Sequence, residues 1–127
     1  MLAANYDITI DRAAEYSFVL TIQNYLKQPI DLEPSNAAAY TFYADIRETN
    51  TKKEIVSFTT LILDGGNNGQ VSLRLTEADT LLLKPSLAYE YDIFMQRGGV
   101  MERLLYGSVT VRANVTKGVP VDPITAQ

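Results

Sequence analysis

The chain has 127 residues, with 11 Lys and Arg against 15 Asp and Glu, for a formal net charge of -4. It contains no Cys, His or Trp. Disulfides, thiolate chemistry, Cys-type zinc sites and iron–sulfur clusters are thereby excluded, and the commonest general base and transition-metal ligand are missing.

With 46% hydrophobic and 20% charged residues, the composition is that of one soluble globular domain. Lys and Arg are scattered, and the densest spot, Lys52-Lys53, is followed at once by Glu54. That argues against a nucleic-acid partner, which calls for a basic patch. No apolar run approaches the roughly 20 residues of a membrane span. Met1 to Asn5 lacks the basic and apolar regions of a signal peptide, so the chain is expected to be made in the cytoplasm.

Period-two alternation dominates the chain. Tyr6, Ile8 and Ile10 alternate with Asp7, Thr9 and Asp11, predicting a strand with one dry face. After Arg12-Ala13-Ala14, Tyr16, Phe18, Leu20 and Ile22 alternate with Ser17, Val19, Thr21 and Gln23. Asn24 to Asp31 reads as a turn, because Pro29 fixes its own φ and drives Gln28 from the helical region. Leu32 to Ala39 reads as a surface loop. A third strand is expected over Tyr40 to Thr49, with Phe42, Ala44 and Ile46 inward and Asp45 and Arg47 outward. Ile55 to Phe58 and Leu61 to Leu63 read as two short strands or one bulged strand. Asp64 to Gly69 is the strongest turn signal, and Val71, Leu73 and Leu75 alternate beyond it.

Thr76 is an N-cap candidate with Asp79 at the third helical position, and Pro85 stops the run. One or two helical turns are expected there. Tyr89, Tyr91, Ile93 and Met95 then share a strand face, with Glu90 and Asp92 opposite. Arg97-Gly98-Gly99 reads as a hairpin turn. Met101 to Arg112 is the last strand, with Leu105, Gly107, Val109 and Val111 on one side. Leu104 and Tyr106 on the other predict that its first half is covered on both faces. Alternation stops at Val115, which divides the chain into a domain over 1–114 and an extended tail over 115–127.

Seven or eight strands without a crossover helix predict an all-β, immunoglobulin-like antiparallel β-sandwich with one short helical turn. The helical turn, polar link and Tyr89-x-Tyr91 fit a tyrosine corner. Two core tyrosines on one strand face are the alternative. Tyr91 stands where antibody domains carry a bridging Cys.

No catalytic, cofactor or metal residue is expected. Asp7, Asp11, Asp45, Glu48, Glu90 and Asp92 fall on outward faces, and a glycosidase would need two carboxylates set across a cleft. Asp64 to Asn68 lacks the alternating oxygen ligands of a calcium loop. Ser17, Ser57, Ser72 and Ser108 have no marked base. Tyr6, Tyr16, Phe18, Phe42, Tyr89 and Tyr91 fall on inferred core faces. Tyr25, Tyr43 and Tyr106 are the candidates for exposure and for a protein interface. Val119, Pro120, Val121, Pro123 and Ile124 in the tail are candidates for a partner-binding arm, against a plain disordered terminus.

The order of blocks resembles a known group. Tyr6 to Ile10 followed by Tyr16 to Ile22, Pro29 to Leu32 followed by Tyr40 to Arg47, and Tyr91 to Ile93 followed by Gly98 to Val111 are similar to small immunoglobulin-like virion proteins of bacteriophage tails and baseplates, cyanophages included. The likeness spans about Asn5 to Thr116. It departs at Ala13-Ala14, where the group usually has a Gly, and at Glu33 to Ala39, which is inserted. The resemblance implies a non-enzymatic structural protein or adaptor located in the virion, binding other virion proteins or copies of itself. A capsid decoration protein of the head is the first alternative. A carbohydrate-binding or adhesin module reading the host surface is the second, and its sign would be Tyr25, Tyr43 or Tyr106 lining a groove.

Overall fold

The computed structural model describes residues 3–24, 26–32, 40–63 and 68–114. Two sheets pack face to face. The front sheet holds β1 (Ala4–Asn5), β2 (Ile8–Asp11), β4 (Tyr40–Glu48), β5 (Glu54–Ser57), β8 (Tyr89–Arg97) and β9 (Val100–Arg112). Its order is β1-β9-β8-β4-β5, with β2 also beside β9. The back sheet is β3 (Tyr16–Thr21), β7 (Gln70–Leu75) and β6 (Thr59–Ile62), in the order β3-β7-β6. The one helix among the described residues, α1 (Glu77–Thr80), lies between β7 and β8 in the chain.

This is the immunoglobulin-like sandwich expected from the sequence, in the arrangement that extends the sheet of the last two strands. The tyrosine corner is present: the Tyr89 hydroxyl accepts the Lys84 N–H at 2.8 Å. The helical turn also forms as its letters predict. Thr76 caps it by accepting the Asp79 N–H at 3.1 Å, and Asp79 returns the bond by accepting the Thr76 N–H at 2.9 Å.

Three details differ from the sequence reading. The described residues form nine strands, because a two-residue strand, β1, precedes the expected first strand, and β5 and β6 are separate strands in different sheets. The sandwich is not wholly antiparallel, since β1 and β2 both run parallel to β9. Leu104 is buried because a bulge opposite Ile93/Phe94 puts it and Leu105 side by side, not because the strand is covered on both faces.

The core is the inner faces of both sheets. Ile10, Ile46, Val71, Leu73, Leu75 and Ile93 have no solvent exposure. The alternation therefore assigns Phe42, Ala44, Ile46, Tyr89, Tyr91, Ile93 and Met95 correctly. Tyr6 is the exception at 51% exposed. Its carbonyl, not its ring, turns inward and accepts a hydrogen bond from the Tyr91 hydroxyl. Burial holds the Tyr91 phenol well above the usual tyrosine range, helped by the nearby Tyr16, Tyr6 and Asp7. Tyr91 thus ties the first strand to β8 from the position where a cystine would otherwise join the sheets.

The sheets are joined through rings. Phe18 on β3 and Tyr91 on β8 both meet Phe58, at centroid separations of 6.0 Å and 6.2 Å in edge-on geometry. Phe58 is the single residue between β5 and β6, so it sits where the chain crosses from front to back.

The first turn explains the Ala13 departure. Ala13 adopts φ 71°, the left-handed region, while buried. Its N–H donates to the fully buried Thr80 hydroxyl at 3.1 Å, and Thr80 donates back to the Ala14 carbonyl at 3.0 Å. This bond pair holds α1 against the turn and offsets the conformational cost of an alanine there.

Candidate functional site: the outer face of the front sheet

Cross-strand register brings distant residues together on the solvent side of the front sheet. Asp45 lies opposite Asp92, and Asp92 lies opposite Tyr106. One step along, Arg47 pairs with Glu90 and Glu90 with Ser108. One step the other way, Tyr43 pairs with Phe94 and Phe94 with Arg103. Beyond that, Thr41, Gln96 and Met101 form the next row.

The charged rows line an open groove of about 450 Å³ that includes Asp7, Asp45, Arg47, Asp92, Arg103 and Tyr106. Most of its groups are already engaged. Asp7 accepts the Ser108 N–H at 2.9 Å, a side chain standing in for a ladder carbonyl. Asp45 accepts the Ser57 hydroxyl at 2.6 Å and lies 3.8 Å from Arg47. Glu90 pairs with Lys52 at 3.0 Å. Arg103 stacks on Tyr106, its guanidinium carbon 4.3 Å from the ring centroid.

Asp92 sits at the centre. Partial burial raises its carboxyl above the ordinary aspartate value; Arg103 opposes this, Asp45 adds to it, Arg47 opposes and Glu90 adds. A raised folded-state value means that the native state binds this proton more tightly than the unfolded chain. Its contribution is therefore favourable at acid pH and is lost as pH rises through the raised value. Asp92→Asn is expected to stabilise the fold at pH 7, and the gain is expected to vanish at pH 3. Urea unfolding of both proteins at the two pH values checks this, and a gain that grows on acidification contradicts it.

The other half of the face carries its large apolar side chains among Thr41, Gln96 and Arg103. Tyr43 is 46% and Met101 49% exposed, with half-buried Phe94 between Tyr43 and Arg103 in the pairing. The Tyr43 hydroxyl donates to Gln96 at 3.0 Å. Aromatic, Met and Arg side chains side by side, bordered by carboxylates, are the composition of a protein interface.

Of the residues singled out from sequence, Tyr43 and Tyr106 lie on this one face. Tyr25, Val119, Pro120, Val121, Pro123 and Ile124 lie outside the described residues, as does the tail over 115–127. Phe94, Met101 and Arg103 were not singled out. Phe94 carried a readable signal, being an apolar residue on the polar side of β8. Among the described residues, no group of three acidic side chains is placed to hold a metal ion.

No family profile matches the chain, and no curated protein matches it. Among solved structures, it is similar to the extracellular fragment, stalk region included, of novel immune-type receptor 11 from Ictalurus punctatus, at 10% identity over 95% of each chain with a TM-score of 0.43. The immunoglobulin-like description rests on strand order and the tyrosine corner.

Proposed function

We propose that the chain is a non-enzymatic structural protein of a phage virion, an adaptor of the tail or baseplate that holds neighbouring virion proteins together. The observation that carries the binding role is the front face. Tyr43, Phe94 and Met101 form an apolar strip against the Arg103–Tyr106 stack and the carboxylate groove. The placement in a phage particle rests on the ordered resemblance of Asn5 to Thr116 to tail and baseplate proteins.

The groove gives an enzymatic reading little support. Asp45 is held by Ser57 and Arg47, Glu90 by Lys52, and the site is open to solvent. A sugar-binding reading needs an open aromatic platform, and one side of the Tyr106 ring is taken by Arg103.

Mass spectrometry of separated heads and tails tests the proposal. The chain is expected with the tails, and recovery with heads favours the decoration reading. Recovery with neither overturns the virion role. In the same particles, Phe94→Asp is expected to lower incorporation at least about tenfold, the loss of one interface anchor, while leaving the unfolding curve within about 1 kcal/mol of the parent.

A further inference from the structure

The back sheet has an unusual edge. Both initial strands, β1 and β2, pair with β9 in the front sheet, so β3 is left with β7 as its one strand partner among the described residues. The exposed edge reads Tyr16-Ser17-Phe18-Val19-Leu20-Thr21. It holds no charge and no proline, and its register against β7 is unbroken. Natural edges are normally blunted by those devices. The left-handed Ala13 turn precedes the stretch, and the Gln23–Pro29 bridge follows it on the β7 side, since Ile22 sends its N–H to Gly69 and takes the Ile30 N–H on its carbonyl, so the edge itself carries none of them.

Backbone direction along β3 is fixed by two bonds. Ile22 N–H donates to the Gly69 carbonyl at 2.8 Å, and Leu63 N–H donates to the Gln70 carbonyl at 2.9 Å. With antiparallel alternation, Tyr16, Phe18 and Leu20 face β7, while Ser17, Val19 and Thr21 turn their N–H and C=O groups to the free edge. On the outer face of this sheet, Val19 is 52% exposed, and across Ser72 from it Leu61 is 61% exposed.

We infer that β3 pairs antiparallel with β3 of a second copy of this chain about a two-fold axis at Val19, joining the two back sheets into one. That register sets Ser17 against Thr21 and Val19 against Val19, so every outward-facing residue of the stretch exchanges bonds with its opposite. It also sets Phe18 beside Leu20 on the inner face. The Val19 pair makes an apolar contact at the seam, with Leu61 beyond Ser72 on either side, and no charge opposes another across it. A two-fold contact of this kind closes on itself, so the product is a dimer and not a fibre. The inference goes beyond the virion reading and does not require it.

Sedimentation of the purified chain over about two decades of concentration tests it. The expected particle at the upper end is twice the 14.1 kDa of one chain. Val19→Pro removes an N–H that faces the free edge, so the β7 ladder survives and a folded monomer is expected. Hydrogen exchange on the parent needs no variant: the Ser17, Val19 and Thr21 amides are expected to slow about tenfold or more as the dimer forms. A parent that stays monomeric throughout overturns the inference. So does a Val19→Pro chain that still dimerises, or a dimer lost in Leu61→Lys but kept in Val19→Pro. Amides at the edge that are protected equally at every dilution place another segment there and overturn it too.

Discussion

Phe58→Ala is expected to destabilise the fold by about 3–5 kcal/mol, the cost of emptying a buried aromatic site. Phe58 is 6% exposed and meets Phe18 of the back sheet and Tyr91 of the front sheet edge-on. Its N–H also donates to the Ala44 carbonyl at 2.8 Å, so the backbone holds its place while the ring is removed. The cavity would then open between the sheets, where neither backbone can collapse readily. With no Cys in the chain, these ring contacts occupy the region where an inter-sheet bridge would sit. Phe58→Leu keeps most of the volume and is expected to cost under half as much. Urea denaturation of both variants checks the pair. A loss below about 1 kcal/mol for the alanine would show that the sheets hold together without this contact.

Gly107→Ala is expected to be as damaging, by a different route. A Cβ at Gly107 would lie 2.3 Å from the Tyr6 carbonyl oxygen and 2.7 Å from its carbon. Both are backbone atoms, so no rotamer change relieves the contact. The Tyr6 carbonyl is also the acceptor for the Tyr91 hydroxyl, and the next residue, Asp7, receives the Ser108 N–H. Pushing the first strand off β9 therefore breaks several bonds together. We expect a loss of about 3 kcal/mol or more, with faster hydrogen exchange over residues 4 to 11. Tyr91→Phe removes only the hydroxyl and should cost about 1–2 kcal/mol. If Gly107→Ala unfolds no more easily than Tyr91→Phe, the close approach at Tyr6 is not what holds the first strand.

The same region shows what the sequence made legible. Alternation assigns Ile8, Ile10, Phe42, Ile46, Tyr91 and Ile93 to the core because a strand with one wet face has only one way to bury them. It fails at Tyr6, where the chain turns its carbonyl toward a residue 85 positions away. Periodicity reports faces, not partners, so the parallel pairing of β1 and β2 with β9 was not readable. Neither was the change of sheet between Ser57 and Thr59, which takes one residue. The Thr76–Asp79 cap was readable because both members are local.

The candidate site was legible only in fragments. Tyr43 stood out as an aromatic on a polar face. The groove did not, because Asp45, Asp92 and Tyr106 become neighbours through two ladders that join residues far apart in sequence. The Arg103 stack on Tyr106 depends on the bulge at Leu104, which lets residues three apart share the outer face of β9. Sequence spacing alone puts Arg103 and Tyr106 on opposite sides.

The β3 edge and the front face predict different footprints, which makes the binding claim directly measurable. Hydrogen exchange and surface labelling should be compared between the purified chain and the chain within assembled particles, both at concentrations that hold the free dimer state fixed. The account predicts new protection centred on Tyr43, Phe94, Met101 and Arg103 in the particle. Unchanged labelling at those residues, with protection appearing elsewhere, would contradict the assignment of the front face as the partner surface.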